Sequence, residues 1–539
     1  MSPTISTRPL RPRGAIRLVC LSAALSLTTA ASADPHPSGR RPAANGTGLP
    51  RSGTDVLRER TVGLDLADHR WLCASGGFGR PAEHDLGLFP GMRITVVQEG
   101  REVDGDTVTW TGHVKGEPGR RAVIAASQVC GHADGTPPRT RPGARPAQST
   151  GPAVDALVDL GTRAYHVTTL PGAPGERSRL RITEEDPRAR RGPTPDDTAG
   201  DEASADELRD SLKDRAPADP AAPAVIDVLA GHTPAAVRRV GGEQAMAARL
   251  GMAESYMNQA LADSGVAARI DLVGRYDTGY HGDQTADLMF DKLSDPADTD
   301  LGAVAHRLRE RLGVDLVTVV NDVPVGSSGR AALPTRGHLD SALAFSAVDV
   351  QSLVKWYNLG HELGHNLGLF HDRTTLAEHN APGTYRRLLN SPSGTGWITP
   401  RRDHHSLMAY AESCGAPCGP VNQYSNTQNT VDGQPLGDEH NDNASLARRT
   451  APIVAAYRTS KVARTRHPLT LEATPNGTVR PAVHGPYAPG TTVGLTAAPA
   501  AGYRVAAWVV DGRRHDLTEE KVTLTMDRPY TVSAVFVPA

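Results

Sequence analysis

Three histidines between residues 361 and 371 restrict the folding of this chain more than any other feature of its sequence. His361 and His365 are four residues apart, so on a helix both imidazoles leave the same face. Gly368 follows them, and glycine can end a helix in a backbone conformation that other residues avoid. The chain can then turn and bring His371 to the same place. The spacing therefore predicts a helix, a turn at Gly368 and three imidazoles around one metal ion.

Three imidazole ligands are typical of a catalytic zinc site, because they leave the fourth position of the metal open to water. Glu362 is adjacent to His361 and reaches the open side of the metal without being a ligand. A carboxylate in that place can act as a general base. We therefore expect one catalytic Zn²⁺ held by His361, His365 and His371, with Glu362 as the catalytic residue.

The run from His361 to Asp372 resembles the extended zinc signature of metzincins, and the aspartate after the third histidine resembles the adamalysin/reprolysin branch. Metzincins have a methionine turn below the zinc, and Met408 fits it as a structural residue. Tyr410 follows the methionine by two positions, as in astacins. The continuation through residues 414–418 and 424–426 resembles bacterial reprolysin-like and peptidyl-Asp metalloendopeptidases.

This resemblance implies an α/β (α+β) metzincin catalytic domain over residues 224–458, with a twisted mixed sheet and a zinc-binding active-site helix. It also implies a polypeptide substrate, hydrolysed by zinc-activated water. For Tyr410 two interpretations stay open, a group that assists at the oxyanion or the zinc, and a core aromatic. The pattern over 341–348 fits either a sheet edge that binds an extended substrate or an ordinary buried strand, and 242–263 predicts an amphipathic helix.

The N-terminus predicts export. A basic start without acidic residues precedes an apolar run over 18–29 and the small residues Ala31-Ser32-Ala33, which together indicate a signal peptide over 1–33. An apolar run of about 12 residues is too short to cross a bilayer, which needs about 20. No later run approaches that length, so we expect a secreted, extracellular protein without a membrane span.

The cysteines fit an oxidising compartment, since four remain once the predicted signal peptide is removed. Cys414 and Cys418 can close a small disulfide loop, which leaves Cys73 and Cys130 to pair with each other. The alternative is that one of the four is a free thiol directed at zinc. Adamalysin-type propeptides supply such a thiolate, but neither Cys73 nor Cys130 lies in a recognisable switch motif, which favours their disulfide.

Composition and patterning divide the rest of the chain. Residues 34–59 are rich in Pro, Gly and Arg and are predicted to be disordered, and 60–184 are β-rich and predicted to be a propeptide that inhibits the enzyme. Residues 185–223 form a predicted linker with a basic processing site at Arg188–Arg191. A second linker, 459–467, precedes a small all-β module over 468–539, which resembles internalin-type B repeats.

Two further predictions concern binding partners. The 58 basic residues almost balance the 60 acidic ones, and the net charge of −2 argues against nucleic acid as a partner. Asp438 and Glu439, with residues 441–443, offer oxygen ligands for a structural Ca²⁺, although a capping or linker role also explains them.

The sequence therefore favours a secreted zinc-dependent endopeptidase that is made as a zymogen. One alternative is a catalytically inactive metzincin scaffold that binds a cell-surface or matrix ligand through its C-terminal module. A zinc-dependent esterase or amidase that acts on non-peptide substrates is a third possibility. A spent scaffold would have no chemical reason to keep Glu362, the three histidines and Met408 together, whereas the ligands alone do not distinguish an esterase or amidase from an endopeptidase.

Overall fold

The computed structural model describes residues 56–65, 67–130, 151–170, 178–186, 222–282, 285–323, 328–380, 384–415 and 418–539. The predicted signal peptide over 1–33 and the basic site at Arg188–Arg191 lie outside these residues. Among the described residues, none of the helices has the length and apolar character that crossing a membrane requires.

Residues 56–186, here called the N-terminal β domain, form an antiparallel sheet in the order β1-β8-β7-β6-β5-β4-β3, with β2 also paired to β3. The strands are β1 Val56–Gly63, β2 Glu83–Leu86, β3 Ile94–Asp104, β4 Thr107–Val114, β5 Glu117–Ser127, β6 Ala153–Asp159, β7 Ala164–Leu170 and β8 Arg179–Glu185. A 3-10 helix spans Ala67–Cys73. The disorder predicted for 34–59 is wrong at its end, because β1 begins at Val56 and pairs with β8.

The segment 222–458 has a five-stranded sheet in the order β10-β9-β11-β13-β12, in which only the edge strand β12 is antiparallel to its neighbour. Its strands are β9 Ala224–His232, β10 Ala268–Asp277, β11 Leu316–Asn321, β12 Gly329–Ala331 and β13 Phe345–Asp349, followed by the short β14 Phe370–Asp372, β15 Thr395–Gly396, β16 His404–His405, β17 Gly419–Pro420, β18 Thr430–Val431 and β19 Gln434–Pro435.

The helices of this segment are α1 Pro234–Val240, α2 Glu243–Asp263, α3 Ala286–Ser294, α4 Gly302–Leu312, α5 Ser352–Lys355, α6 Asn358–Asn366, α7 Arg373–His379 and α8 Asn443–Val454. Three 3-10 helices span Ser341–Leu343, Tyr385–Arg387 and Ala411–Cys414. The mixed α/β architecture agrees with the fold class predicted from the sequence.

Apolar residues alternate between the two faces of the five-stranded sheet, and each face is covered by helices. On β11, Leu316 and Val320 pack in one core with α2 and α6, whereas Val317 and Val319 pack in the other with α3 and α4. Because side chains of a strand point to opposite faces in turn, a strand covered on both sides is apolar throughout. This explains why every residue from Leu316 to Val320 is buried and why all of them except Thr318 are apolar.

Residues 341–348 do not form an edge of the sheet, so the interpretation of this segment as a substrate-binding edge is wrong. Ser341–Leu343 form a 3-10 helix, and β13 lies between β11 and β12, with both of its edges paired. Residues 345–348 are therefore an interior, buried strand. The edge strand on this side of the sheet is β12, which comes from a region without a recognisable strand pattern.

The C-terminal module, residues 467–539, is all-β. Its strands are β20 Leu469–Leu471, β21 Gly477–Pro481, β22 Thr491–Pro499, β23 Tyr503–Val510, β24 Arg513–His515, β25 Lys521–Met526 and β26 Tyr530–Pro538. One sheet has the order β20-β26-β23-β24. The other strands, β21, β22 and β25, join the sheet of the N-terminal β domain through pairing of β3 with β22.

Candidate metal centre

The side chains of the three motif histidines meet at one point. The Nε2 atoms of His361 and His365 are 3.2 Å apart, those of His361 and His371 are 3.2 Å apart, and those of His365 and His371 are 2.9 Å apart. All three side chains are buried, with at most 3% of the residue exposed. Among the described residues this is the only group of three or more side chains with metal-ligand geometry.

Backbone carbonyl groups set the tautomers of two of these rings. His361 Nδ1 lies 2.8 Å from the carbonyl oxygen of Leu407, and His365 Nδ1 lies 2.9 Å from that of Leu369. A carbonyl oxygen only accepts, so each Nδ1–H donates and each Nε2 keeps its lone pair for the common point. Carbonyl partners of this kind also fix the orientation of the rings.

The donor set fits Zn²⁺. Lone pairs on neighbouring Nε2 atoms repel one another unless a cation lies between them. Ligand nitrogens held at about 2.0–2.1 Å by a tetrahedral zinc lie about 3.3–3.4 Å apart. The distances of 2.9–3.2 Å between the Nε2 atoms are close to that value. His361, His365 and His371 would hold the ion.

Helix α6 supplies the first two histidines and is fixed at both ends. At its start, Asn358 donates from Nδ2 to the carbonyl oxygen of Ser328 at 2.9 Å. At its end, Asn366 donates from Nδ2 to the carbonyl oxygen of Ala332 at 3.0 Å and to that of Phe345 at 3.2 Å. These bonds tie the helix to the strands β12 and β13 above it.

The turn after α6 has the form that the sequence predicts. Gly368 has a φ of +81°, and its N–H donates to the carbonyl oxygen of His365 at 2.7 Å. An added Cβ there would lie 2.6 Å from Nδ2 of Asn390, which donates to the carbonyl oxygen of Gly368 at 2.8 Å. The chain then enters β14, which carries His371 and pairs with β15.

Met408 lies next to α6, the helix that carries the first two histidines. It is fully buried, and a Cβ added to Gly364 of α6 would lie 2.6 Å from its sulfur. The close approach of the turn to the helix therefore needs a glycine at position 364. The methionine packs against the helix that carries the ligands and is not among the three converging side chains.

Tyr410 faces the same point. Its hydroxyl oxygen lies 3.4 Å from Nε2 of His361, and its ring centroid lies 4.7 Å from that of His371. The hydroxyl group is therefore at the metal site and not in a separate apolar core. The structure puts Tyr410 at a position from which its O–H can reach a group bound there.

Glu362 is buried beside the sheet edge, with 1% of the residue exposed. Its carboxylate lies against the backbone of Gly329 on β12, so closely that an added Cβ at this glycine would overlap with it. Glu362 thus occupies a slot between α6 and the edge strand. Sequence reasoning missed Gly329, because its surroundings carry no strand or motif pattern.

Asp372 connects the third ligand to the methionine turn. Its carboxylate accepts from Thr374 N at 3.0 Å, from Thr375 N at 3.1 Å and from Thr375 Oγ1 at 2.7 Å, so it caps α7. It also accepts from Tyr410 N at 3.4 Å. The residue that follows the third histidine therefore fixes β14 and the turn relative to each other.

The remaining candidates have structural roles. Both disulfides are formed, Cys73–Cys130 and Cys414–Cys418, so none of these four sulfurs is a free thiol for the metal. Of the proposed calcium ligands, Asp442 caps α8 by accepting from Ser445 N at 2.7 Å.

Two of the other proposed calcium ligands also accept hydrogen bonds from protein groups. Asp438 Oδ1 accepts from His440 N at 2.9 Å and from Asn441 Nδ2 at 2.7 Å. Asn441 Oδ1 accepts from Thr395 Oγ1 at 2.8 Å. These bonds fit the capping and linker role that the sequence left open, and calcium has no support here.

Tyr424 lies in the segment 424–426, for which the sequence indicates a family resemblance but no role. Its hydroxyl donates to the carbonyl oxygen of Gly360 on α6 at 2.8 Å, and the residue is fully buried. Burial raises the pKa of this phenol far above its usual value, so it stays protonated as a donor. The segment after the methionine turn therefore supports the active-site helix from below.

Comparison with known proteins agrees with this geometry. Residues 222–431 match the family described as metallo-peptidase family M12B reprolysin-like, and residues 467–539 match the divergent InlB B-repeat domain. No curated protein matches the chain. A solved structure titled "Structure of a chaperone-substrate complex" is 20% identical, with a TM-score of 0.34, over 44% of this chain and 35% of that chain.

This chain thus spans about a third of the length of that solved chain, and a similarity so weak supports no argument about fold or function. The two family matches include the histidine motif and the all-β C-terminal module, respectively. These matches confirm the resemblance of residues 222–431 to reprolysin-like M12B metallopeptidases and of residues 467–539 to divergent InlB B-repeats.

Proposed function

We propose that this protein is a secreted zinc-dependent endopeptidase with Glu362 as its general base. The observation that carries the proposal is the convergence of three buried imidazole nitrogens within 3.2 Å of one another. A single Zn²⁺ at this point is the cofactor that the family match supports. When bound, zinc polarises the scissile carbonyl group and lowers the pKa of a water molecule that it holds.

Side chains of the protein carry out the proton transfers. Glu362 accepts a proton from the attacking water and delivers it to the leaving amine, a role that needs a carboxylate held beside the metal. Its burial against Gly329 restricts the carboxylate to one place. Tyr410, with its hydroxyl 3.4 Å from His361 Nε2, is placed to donate to the oxyanion that forms during amide hydrolysis.

The polypeptide substrate binds along β12. This strand is one of the two edges of the five-stranded sheet, and Gly329 brings its backbone next to Glu362. An extended peptide that adds to a sheet edge gains main-chain hydrogen bonds. Such a peptide would pass beside the general base, which supports a peptide as the substrate in preference to a small ester.

Export and zymogen processing remain proposals from the sequence. The signal-peptide pattern over 1–33 supports secretion to the extracellular space, and the basic site at Arg188–Arg191 supports cleavage between the N-terminal β domain and the peptidase. Both cysteines of the N-terminal β domain are paired, so inhibition by a thiolate has no support. N-terminal sequencing of the secreted product would locate the cleavage point.

The test of the proposed activity is hydrolysis of a proteome-derived peptide library by the purified, zinc-loaded protein. We expect internal peptide bonds to be cut, activity to be lost with a chelator, and zinc to restore it. If the protein hydrolyses only non-peptide esters or amides, this would favour a zinc-dependent esterase or amidase. Zinc-loaded protein without any hydrolysis would favour an inactive scaffold that binds a surface or matrix ligand through residues 467–539.

A further inference from the structure

The N-terminal β domain shares a hydrophobic core with the peptidase segment. In β5, Ala122, Ile124 and Ala126 pack inside the N-terminal β domain, whereas Val123 and Ala125 pack in the core that contains α2 and α6. The strand is therefore buried on both faces. Loss of the N-terminal β domain would expose one of these faces and the helix that it covers.

Helix α2, in the peptidase segment, is also buried at this contact with the N-terminal β domain. The sequence predicted an amphipathic helix, yet 15 of its 21 residues are buried. A Cβ on Gly251 would lie 2.7 Å from Oγ1 of Thr109 on β4, so the helix and the sheet are in close contact. A helix that is buried nearly all round belongs in the interior of a protein and not on its surface.

Charged groups cross this interface in buried positions. Arg249 of α2 forms an ion pair with Asp155 of β6, and the two side chains are 6% and 4% exposed. Arg249 also donates to the carbonyl oxygen of Val350 at 3.1 Å, and Asp155 lies 3.0 Å from His166 Nε2. Removal of either partner would leave an uncompensated charge in an apolar core.

Arg269 of β10 joins three parts of the chain. Its guanidinium, 1% exposed, pairs with Glu102 of β3 at 2.8 Å and with Asp271 at 2.7 Å. It also donates to the carbonyl oxygen of Pro486 in the C-terminal module at 3.3 Å. Asp271 in turn pairs with Arg466 of the second linker at 2.7 Å. The buried Arg269 guanidinium therefore connects the N-terminal β domain, the peptidase segment and the C-terminal module.

The N-terminal β domain also contacts the C-terminal module on two edges. On one edge, Gly100 and Arg101 of β3 pair with residues 492–493 of β22. On the other edge, Gly79 pairs with Thr523 of β25 through two hydrogen bonds, of 2.9 and 3.0 Å. The next residue towards the N-terminus, Phe78, packs on the apolar core of the module.

We infer that the N-terminal β domain is a permanent, non-covalent partner of the peptidase segment and the C-terminal module, and that it stays bound after the chain is cut between residues 186 and 222. The inference rests on the cleavage that the proposed function includes. Cleavage there removes one covalent connection but leaves the shared core, the buried ion pairs and the joint sheet intact. The domain then serves as a scaffold that joins the peptidase to its module.

The test uses the complete chain with a specific protease site inserted between Arg191 and Gly192. The folded protein is cut and run on a size-exclusion column at micromolar concentration and neutral pH. We expect one peak that contains both fragments at the mass of the uncut protein. Two separate peaks would overturn the inference. The readout needs no activity, so it stands apart from the test of the endopeptidase function.

Two variants locate the interface. In the cut protein, Arg249→Met is expected to lower the urea concentration at which half of the N-terminal fragment is released. Arg93→Met, which removes an exposed pair with Asp85 inside the N-terminal β domain, is expected to leave it unchanged. An equal midpoint for Arg249→Met and the unsubstituted chain would overturn the role of the buried pair.

If a variant does not fold, the inference can still be tested on the unsubstituted protein. Amide hydrogen exchange of α2 and β22 is compared before and after the cut. Protection that is unchanged in both elements supports the inference. A loss of protection in α2 and β22 after the cut would overturn it, because these elements would then have become exposed.

Discussion

The carboxylate of Glu362 lies against the backbone of Gly329, and the space that it occupies is the space that a Cβ at position 329 would fill. Glu362 belongs to α6 and Gly329 to the edge strand β12, so the contact joins the helix that carries two histidines to this edge strand. The position of Glu362, the proposed general base, is therefore set by a residue outside the zinc motif.

Substitution Gly329→Ala is expected to lower kcat/KM about 10²-fold, because a displacement of about 1 Å of a catalytic group has an effect of that size. Zinc content should stay at one ion per chain, since the three histidines are untouched. Peptide hydrolysis and metal analysis of the same preparation check both expectations.

Gly274 of β10 provides the matched control. An added Cβ there meets only Leu229 at 3.7 Å, an ordinary contact distance. Gly274→Ala should therefore keep nearly full activity. Equal activity of the Gly329→Ala and Gly274→Ala variants would show that the slot at position 329 does not position Glu362.

Glu362→Gln should lower kcat by about 10²–10⁴-fold, the range that a general base contributes. The amide has nearly the same shape as the carboxylate but cannot accept the proton from water. Because Glu362 is not one of the converging ligands, zinc should remain bound in the variant. A variant that keeps its activity would remove Glu362 from the mechanism.

Tyr410→Phe distinguishes the two interpretations of this residue. Loss of a donor to the oxyanion is expected to lower kcat by about 10²–10³-fold with little change in KM. A core aromatic would tolerate the change, because only the hydroxyl is removed. Steady-state kinetics of the zinc-loaded variant give kcat and KM separately, and an unchanged kcat would leave Tyr410 with a packing role only.

Removal of the metal should lower the melting temperature as well as the activity. Without a cation, the three Nε2 lone pairs at 2.9–3.2 Å repel one another inside a buried site. A ligand bound only to the folded state at 100 times its Kd adds about 2.7 kcal/mol to stability. Thermal unfolding with chelator, and again after addition of zinc, measures the shift, and an unchanged melting temperature would contradict it.

The sequence predicts those parts of the site that depend on local spacing. The ligand spacing of His361 and His365 follows from helical geometry, and the turn at Gly368 follows from the conformational freedom of glycine. Both disulfides could be predicted because only four cysteines remain once the predicted signal peptide is removed. These features need no knowledge of how distant segments pack.

The sequence does not predict features that depend on contacts between distant segments. The edge strand β12 is three residues long and has no period of its own, so only its pairing with β13 defines it. Pairing of β3 with β22 joins residues almost 400 positions apart, and two separate β-rich segments gave no sign of a common sheet. The burial of α2 likewise comes from a domain that the sequence predicts to be a removable propeptide.

Acidification should weaken the contacts of the N-terminal β domain through Glu99. This side chain is 14% exposed, pairs with Lys521 of the C-terminal module at 3.1 Å and forms an ion pair with Arg121, which in turn pairs with Asp263 of α2 at 2.6 Å. Burial raises the pKa of Glu99, but contacts with His113, Arg121 and Lys521 outweigh it and lower the pKa to about 2.

A carboxyl group whose pKa is lowered by folding stabilises the protein above its ordinary pKa and loses that effect as the pH falls towards the folded value. Glu99 should therefore contribute up to about 3 kcal/mol at pH 6, and this contribution should decline below about pH 4.5. Glu99→Gln should lower the urea midpoint at pH 6, and its difference from the unsubstituted protein should shrink towards pH 3.

Glu83 is the matched control, since its pair with Lys115 at 2.6 Å is about half exposed on both sides. Exposed pairs contribute about 0–1 kcal/mol, so Glu83→Gln should change the urea midpoint little at any pH. A difference for Glu99→Gln that stays constant from pH 6 to pH 3 would mean that its effect is one of packing, because only an ionised carboxylate gives a contribution that protonation removes.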